Sequence, residues 1–213
     1  MKILLLLLCV GFVLSAPAQL TLKPKAGVTL SRFQRAEQGY PYSYPDRNVG
    51  GFAAGAALSC SRGHLSLQAE LLYNAKGNLV AYPADGYSIG IPPPNAHRFH
   101  YLELPLLAYY RLFSGLHAGA GGYYSYLLRG DAFRKGKRID DPAVSYSRSD
   151  FGLLAELAFR SRRFEVGARY SWGLKTVQQI TTVPNDPEFA QQAPVDMGRN
   201  RSLQLYVAYP IRF

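Results

Sequence analysis

Four histidines, His64, His97, His100 and His117, are the side chains best suited to moving a proton near neutral pH. His100 is in phase with Leu102 and Leu104, on an apolar face near one rim. A Ser–His–acid site built there would act on lipid. Ser88 and Ser125 are the candidate nucleophiles, and no G-x-S-x-G elbow is expected around either. Asp131, Asp140 and Asp141 share one segment, and Asp186 and Glu188 share another; neither group has calcium-loop spacing. No glycine-rich loop follows a strand and opens a helix to cradle phosphate. The expectation is a non-enzymatic chain with no cofactor and no metal.

The elements that would position these residues are strands. In residues 162–175, RRFEVGARYSWGLK, every second residue is apolar or aromatic: Phe164, Val166, Ala168, Tyr170, Trp172 and Leu174. Arg163, Glu165, Gly167, Arg169, Ser171, Gly173 and Lys175 lie between them. A period of two is a strand with two unlike faces. The pattern recurs over 20–32, 49–60, 64–75, 98–113, 116–128, 150–160 and 201–213, making eight strands of about 11–15 residues, longer than the usual ~5–6. A tilted strand needs about 9–11 residues to cross a bilayer. The connections alternate between a few residues and long loops, at 33–48, 77–97, 129–149 and 176–200. Short turns at one end and long loops at the other point to an all-β, eight-stranded, antiparallel, up-and-down transmembrane barrel. An even strand count puts both termini at one end, which would be the periplasmic side.

The first residues carry a different pattern. Lys2 precedes an apolar run, Ile3 to Leu14, and then Ser15-Ala16-Pro17-Ala18. This is the form of a secretory signal peptide, residues 1–18, cleaved before Gln19; the barrel domain is then 19–213. Cys9 follows Leu8, which lacks the small side chain a lipid anchor requires. Cys60 is the remaining cysteine, so no internal disulfide is expected. The formal charge is +10, but the basic residues are scattered through strands and loops rather than clustered, so nucleic acid is excluded as a partner.

With apolar side chains facing lipid, the charged ones face the lumen. The acids there are Glu70, Glu103, Glu156 and Glu165; the bases are Arg111, Arg160, Arg169 and Arg212, with Lys23 and Lys25 as further candidates. Mixed signs in a narrow bore favour a salt-bridged structural network over an ion-selective pore lining, since eight-stranded barrels are filled by side chains. Gly119, Gly121, Gly152, Gly167 and Gly173 leave room for Tyr101, Tyr109 and Tyr123. Tyr73, Tyr110, Tyr124, Tyr126, Tyr170 and Trp172 fit aromatic girdles at the interfaces. Tyr40, Tyr42, Tyr44, Tyr82 and Tyr87 fall in loops, where rigid packing is favoured over carbohydrate stacking.

The run YLELPLLAYYRL at 101–112 resembles the mid-barrel strand of the PorT-like outer-membrane β-barrel family of Bacteroidetes, with the eight-stranded architecture of OmpX- and OmpA-like barrels. GLHAGAGGYYSYLL, DFGLLAELAF and the closing LQLYVAYPIRF are similar to that family too. The resemblance implies a Gram-negative outer-membrane location among outer-membrane lipid. It also implies insertion by the barrel-assembly machinery, with Tyr209, Ile211 and Phe213 as the C-terminal insertion signal. Some relatives serve protein secretion, and the family has no shared catalytic residues. The expected function is a barrel with a side-chain-filled lumen, its four loops binding or joining an assembly. A narrow porin, a secretion accessory and a lipid-modifying enzyme are the alternatives.

Overall fold

The computed structural model describes residues 19–34, 46–80, 96–139, 144–180 and 195–213. Eight long strands form the wall: β1 (Gln19–Gln34), β2 (Val49–Arg62), β3 (Leu65–Val80), β4 (Ala96–Arg111), β5 (Leu116–Arg134), β6 (Ser149–Arg160), β7 (Glu165–Ile180) and β8 (Val195–Ala208). Each pairs antiparallel with its sequence neighbours. The ring closes where β8 pairs with β1, Lys25 opposite Ala208 and Leu30 opposite Leu203. The fold is therefore a closed, eight-stranded antiparallel barrel. Closure matters because hydrocarbon offers no partner to an open strand edge.

Alternation sets the two faces. On β4, Tyr101, Glu103, Leu107 and Tyr109 are buried, while Leu102, Leu104 and Leu106 are exposed, Leu106 at 65%. The outward set continues around the wall with Val28, Leu71, Leu157, Leu205 and Val207. A continuous apolar wall around a polar interior inverts the arrangement of a water-soluble protein and suits a lipid surround.

The short connections fold as the sequence leads one to expect. Gly63 and Gly115 take positive φ, 61° and 85°, which suits glycine in tight turns. The Ser161 hydroxyl accepts hydrogen bonds from the backbone N–H of Arg163 and Phe164, both at 3.2 Å.

At the loop end the strands run further than their alternation. Their lengths reach 12–19 residues, and they take in 76–80, 96–97, 129–134, 176–180 and 195–200. Short strands prolong the wall: Asp46–Arg47 on β3, Lys137–Ile139 on β5 and Val144–Tyr146 on β7. Lys135 and Gly136, at φ 48° and 77°, turn β5 back on itself with the two positive φ values of a type I′ hairpin. A bulge at Leu128 lets His100 pair with Arg129 while Tyr101 pairs with Leu127. The segment 1–18, the tyrosines 40, 42, 44, 82 and 87, and Asp140, Asp141, Asp186 and Glu188 lie outside the described residues.

Candidate functional site

The lumen holds the chain's most concentrated chemistry. Arg169, on β7, is completely buried. Its Nη1 and Nη2 donate to the two oxygens of Glu70 on β3, at 2.9 and 2.6 Å, and its Nε donates to Glu156 Oε2 on β6 at 2.5 Å. Lys25 on β1 donates to Glu70 at 3.0 Å and lies 3.8 Å from Glu156. Toward the turn end, Lys23 donates to Glu165 at 2.7 Å, and Arg160 Nε lies 2.9 Å from the same carboxylate. Period-two alternation on four separate strands turns these side chains inward, and bidentate guanidinium–carboxylate pairing makes their burial tolerable.

Tyrosines knit the network together. Tyr109 donates to Glu156 at 2.7 Å, and Tyr206 donates to Glu156 while lying 3.1 Å from Glu165. Lys25 Nζ sits 3.4 Å from the centroid of the Tyr206 ring. Glycine makes the space: a methyl added at Gly119 would lie 2.5 Å from Tyr109 ring carbons, and one at Gly167 would lie 2.5 Å from the Tyr206 hydroxyl.

A second layer lies nearer the loops. Lys76 donates to Glu103 at 2.6 Å, and Ser125 donates to the same oxygen at 3.0 Å. Tyr123 and Asn200 donate to Asp150 at 3.1 and 2.8 Å. Beyond it Phe33, Phe99, Tyr101 and Val177 form a buried apolar cluster against Leu127 and Tyr146.

Glu70, Glu103, Glu156, Arg160, Glu165 and Arg169 thus meet inside the barrel, although Glu103 belongs to the second layer. Arg111 and Arg212 do not join them, contrary to the sequence expectation: both are exposed and line a cavity of about 600 Å³ at the turn-end mouth. Each has inward parity, but the bore there is already open to water. Arg163, also expected inside, lies exposed in the turn before β7, and Lys175 donates to Ser149 at 2.7 Å near the loop end. Lys76, Asn200 and Tyr206 are members that alternation alone did not single out. Lys76 follows directly on the alternating stretch 64–75, which ends one residue too early to include it.

Of the girdle residues, Tyr110, Tyr124, Tyr126, Tyr170 and Trp172 are exposed on the outer wall, as are Tyr209, Ile211 and Phe213. Tyr73 is half-buried; its hydroxyl bonds His100 Nδ1, and His100 Nε2 lies 3.8 Å from Asp131 Oδ2. Asp131 is in turn held by Arg129 and Arg138 at 2.9 and 2.8 Å. Both ring nitrogens of His100 thus face a tyrosine and an ion-paired aspartate rather than a serine. Contrary to the sequence expectation, the letters around Ser88, GYSIG at 86–90, do carry the G-x-S-x-G spacing; they lie outside the described residues. His97 stacks on Phe99, His64 is exposed in a turn, and His117 Nδ1 is 3.5 Å from Arg160.

Closed wall, apolar exterior and ionic interior define a membrane-spanning β-barrel. The chain belongs to the family of the outer membrane protein beta-barrel domain, whose model matches residues 15–179, and is thus an outer-membrane protein. No curated protein matches it. Among solved structures it is similar to the outer membrane protein OprG of Pseudomonas aeruginosa, at 11% identity over 91% of this chain and 96% of that one, with a TM-score of 0.51. It is also similar to Neisserial surface protein A, at 12% identity over 91% and 97%, TM-score 0.46. Ail of Yersinia pestis, solved with the heparin analogue sucrose octasulfate, shares 13% identity over 92% and 100%, TM-score 0.45. At such identities the likeness concerns fold.

Proposed function

We propose that this chain is a non-enzymatic barrel whose lumen is sealed by its own side chains, and whose long loops face outward to bind or join an assembly. One observation carries the reading: Arg169 and Glu70 join strands four places apart in an eight-membered ring, so their ion pair spans the bore. The apolar cluster around Phe99 adds a second obstruction in series. Planar-bilayer recordings of refolded protein should be silent; steady unitary conductance would overturn the seal and favour a porin.

Residues 1–18 act as a signal peptide, and both termini face the periplasm. N-terminal sequencing of the exported protein should begin at Gln19. An epitope tag placed within 181–194 should be reachable by antibody on intact cells. The resemblance at 101–112 favours a PorT-like member and, with it, a secretion accessory as the second reading; a deletion strain would then lose surface-exported proteins.

A further inference from the structure

Arg32 on β1 and Arg201 on β8 stand directly opposite each other in the ladder. Both belong to the outward-facing set, Arg32 following Val28 and Leu30, Arg201 preceding Leu203 and Leu205. Like charges in this relation destabilise a sheet. Exposed Arg199 lies two residues away on the same strand. Among the described residues no carboxylate pairs with any of the three, although buried carboxylates elsewhere in the barrel are matched to cations.

Arg201 is not loose. It is 8% exposed, its Nε donates to Gln34 Oε1 at 2.7 Å, its Nη1 donates to the Gly173 carbonyl at 3.0 Å, and its guanidinium lies 4.3 Å from the Trp172 ring centroid. A groove of about 240 Å³ opens beside it, with Arg32, Arg201 and Asn48 joined by Leu30, Tyr170 and Leu203. Two residues further toward mid-wall, Val28 and Leu205 enter a second depression of about 580 Å³ that is almost wholly apolar. Cations at one end of an apolar track, beside an interfacial tryptophan and tyrosine, match a lipid with its headgroup at the interface and its chain along the wall.

We propose that the β1–β8 seam binds a phosphate-bearing lipid of the outer leaflet, Arg32 and Arg201 holding the phosphate and the track from Leu30 and Leu203 to Val28 and Leu205 holding an acyl chain. The choice of leaflet rests on the orientation proposed above; the binding does not. Trp172 is the chain's single tryptophan, so its fluorescence reports on this site.

The test is a titration of refolded full chain, in uncharged maltoside micelles, with diphosphorylated lipid A. A saturable change in Trp172 emission is expected, and no such change with the same lipid dephosphorylated. Arg32→Gln, on an exposed side chain, should raise the midpoint about fivefold, as should Arg199→Gln to a lesser degree. Arg163→Gln, the same charge change at the turn end, should leave it unmoved. Heat-modifiable gel mobility verifies that each variant folds. An equal response to dephosphorylated lipid, an unmoved midpoint in Arg32→Gln, or an equal shift in Arg163→Gln overturns the site. An equal response to inorganic phosphate alone overturns the lipid as its occupant. The intact-cell tag experiment fails or succeeds independently, and bears on the leaflet only.

Discussion

Arg169 and Glu70 meet across the width of the barrel: their strands, β7 and β3, are four places apart whichever way the ring is counted. Glu156 and Lys25 complete a cluster of two carboxylates and two cations with side chains at most 1% exposed. Removing one member of a buried pair leaves the other charge unmatched. Arg169→Met should therefore lower stability by about 3–5 kcal/mol in urea unfolding from lipid vesicles. Adding Glu156→Gln to it should recover most of the loss, because Lys25 and Glu70 then remain as a matched pair. A single Arg169→Met as stable as the parent would mean the pair adds nothing to the fold.

Lys76 and Glu103 form a second buried pair on adjacent strands, both fully enclosed. Lys76→Met should destabilise by about 3–5 kcal/mol, and Lys76→Met with Glu103→Gln by clearly less than the sum of the two single changes. A double-mutant cycle read from the same unfolding curves gives the coupling directly. Strict additivity would show that Ser125 and Asn74, rather than Lys76, satisfy the carboxylate.

Much of this architecture was legible in the residues. Alternation from Phe164 to Leu174 assigns each side chain to one face, because lipid and lumen are unlike solvents and a strand has period two. It places Glu165 and Arg169 inside and Trp172 outside, as the alternation of 150–160 places Glu156 inside. Parity names a face but not a depth, which is why Arg111 and Arg212 were assigned to a network whose mouth they merely line. It also says nothing of partners across the bore: Arg169 finds Glu70 only through strand order and closure. Where β3 leaves the apolar zone, its alternation turns polar, and so Lys76 and Asn78 escaped notice although both are buried. The Lys135–Gly136 turn and the Leu128 bulge are backbone events with weak side-chain cues.

Small residues facing the lumen are there to admit rings. Gly119→Ala would press a methyl into the Tyr109 ring, which is itself held by Glu156 and Gln68. The loss should be about 1–3 kcal/mol, the usual range for overpacking. Gly50→Ala, where an added methyl meets nothing within 4 Å, is the matched control and should be near neutral. Equal effects at both positions would point to a backbone requirement instead of a shared cavity.

The mouth arginines provide the sharpest contrast with the buried ones. Arg111 is exposed, with only a 3.5 Å approach to His64, and Arg212 is exposed on the short strand after Pro210. Water already solvates both, so Arg111→Gln and Arg212→Gln should each change stability by no more than about 0.5 kcal/mol. Arg160→Gln, by contrast, removes a guanidinium that lies 4.3 Å from the Tyr109 ring centroid and 2.9 Å from Glu165, which leaves that buried carboxylate with Lys23 as its remaining cation beside the Tyr206 hydroxyl. Its loss should exceed that of either mouth variant in the same unfolding assay. If Arg111→Gln proved as damaging as Arg160→Gln, the ionic network would have to extend beyond Lys23, Arg160 and Glu165, which also line that cavity, to the exposed arginines.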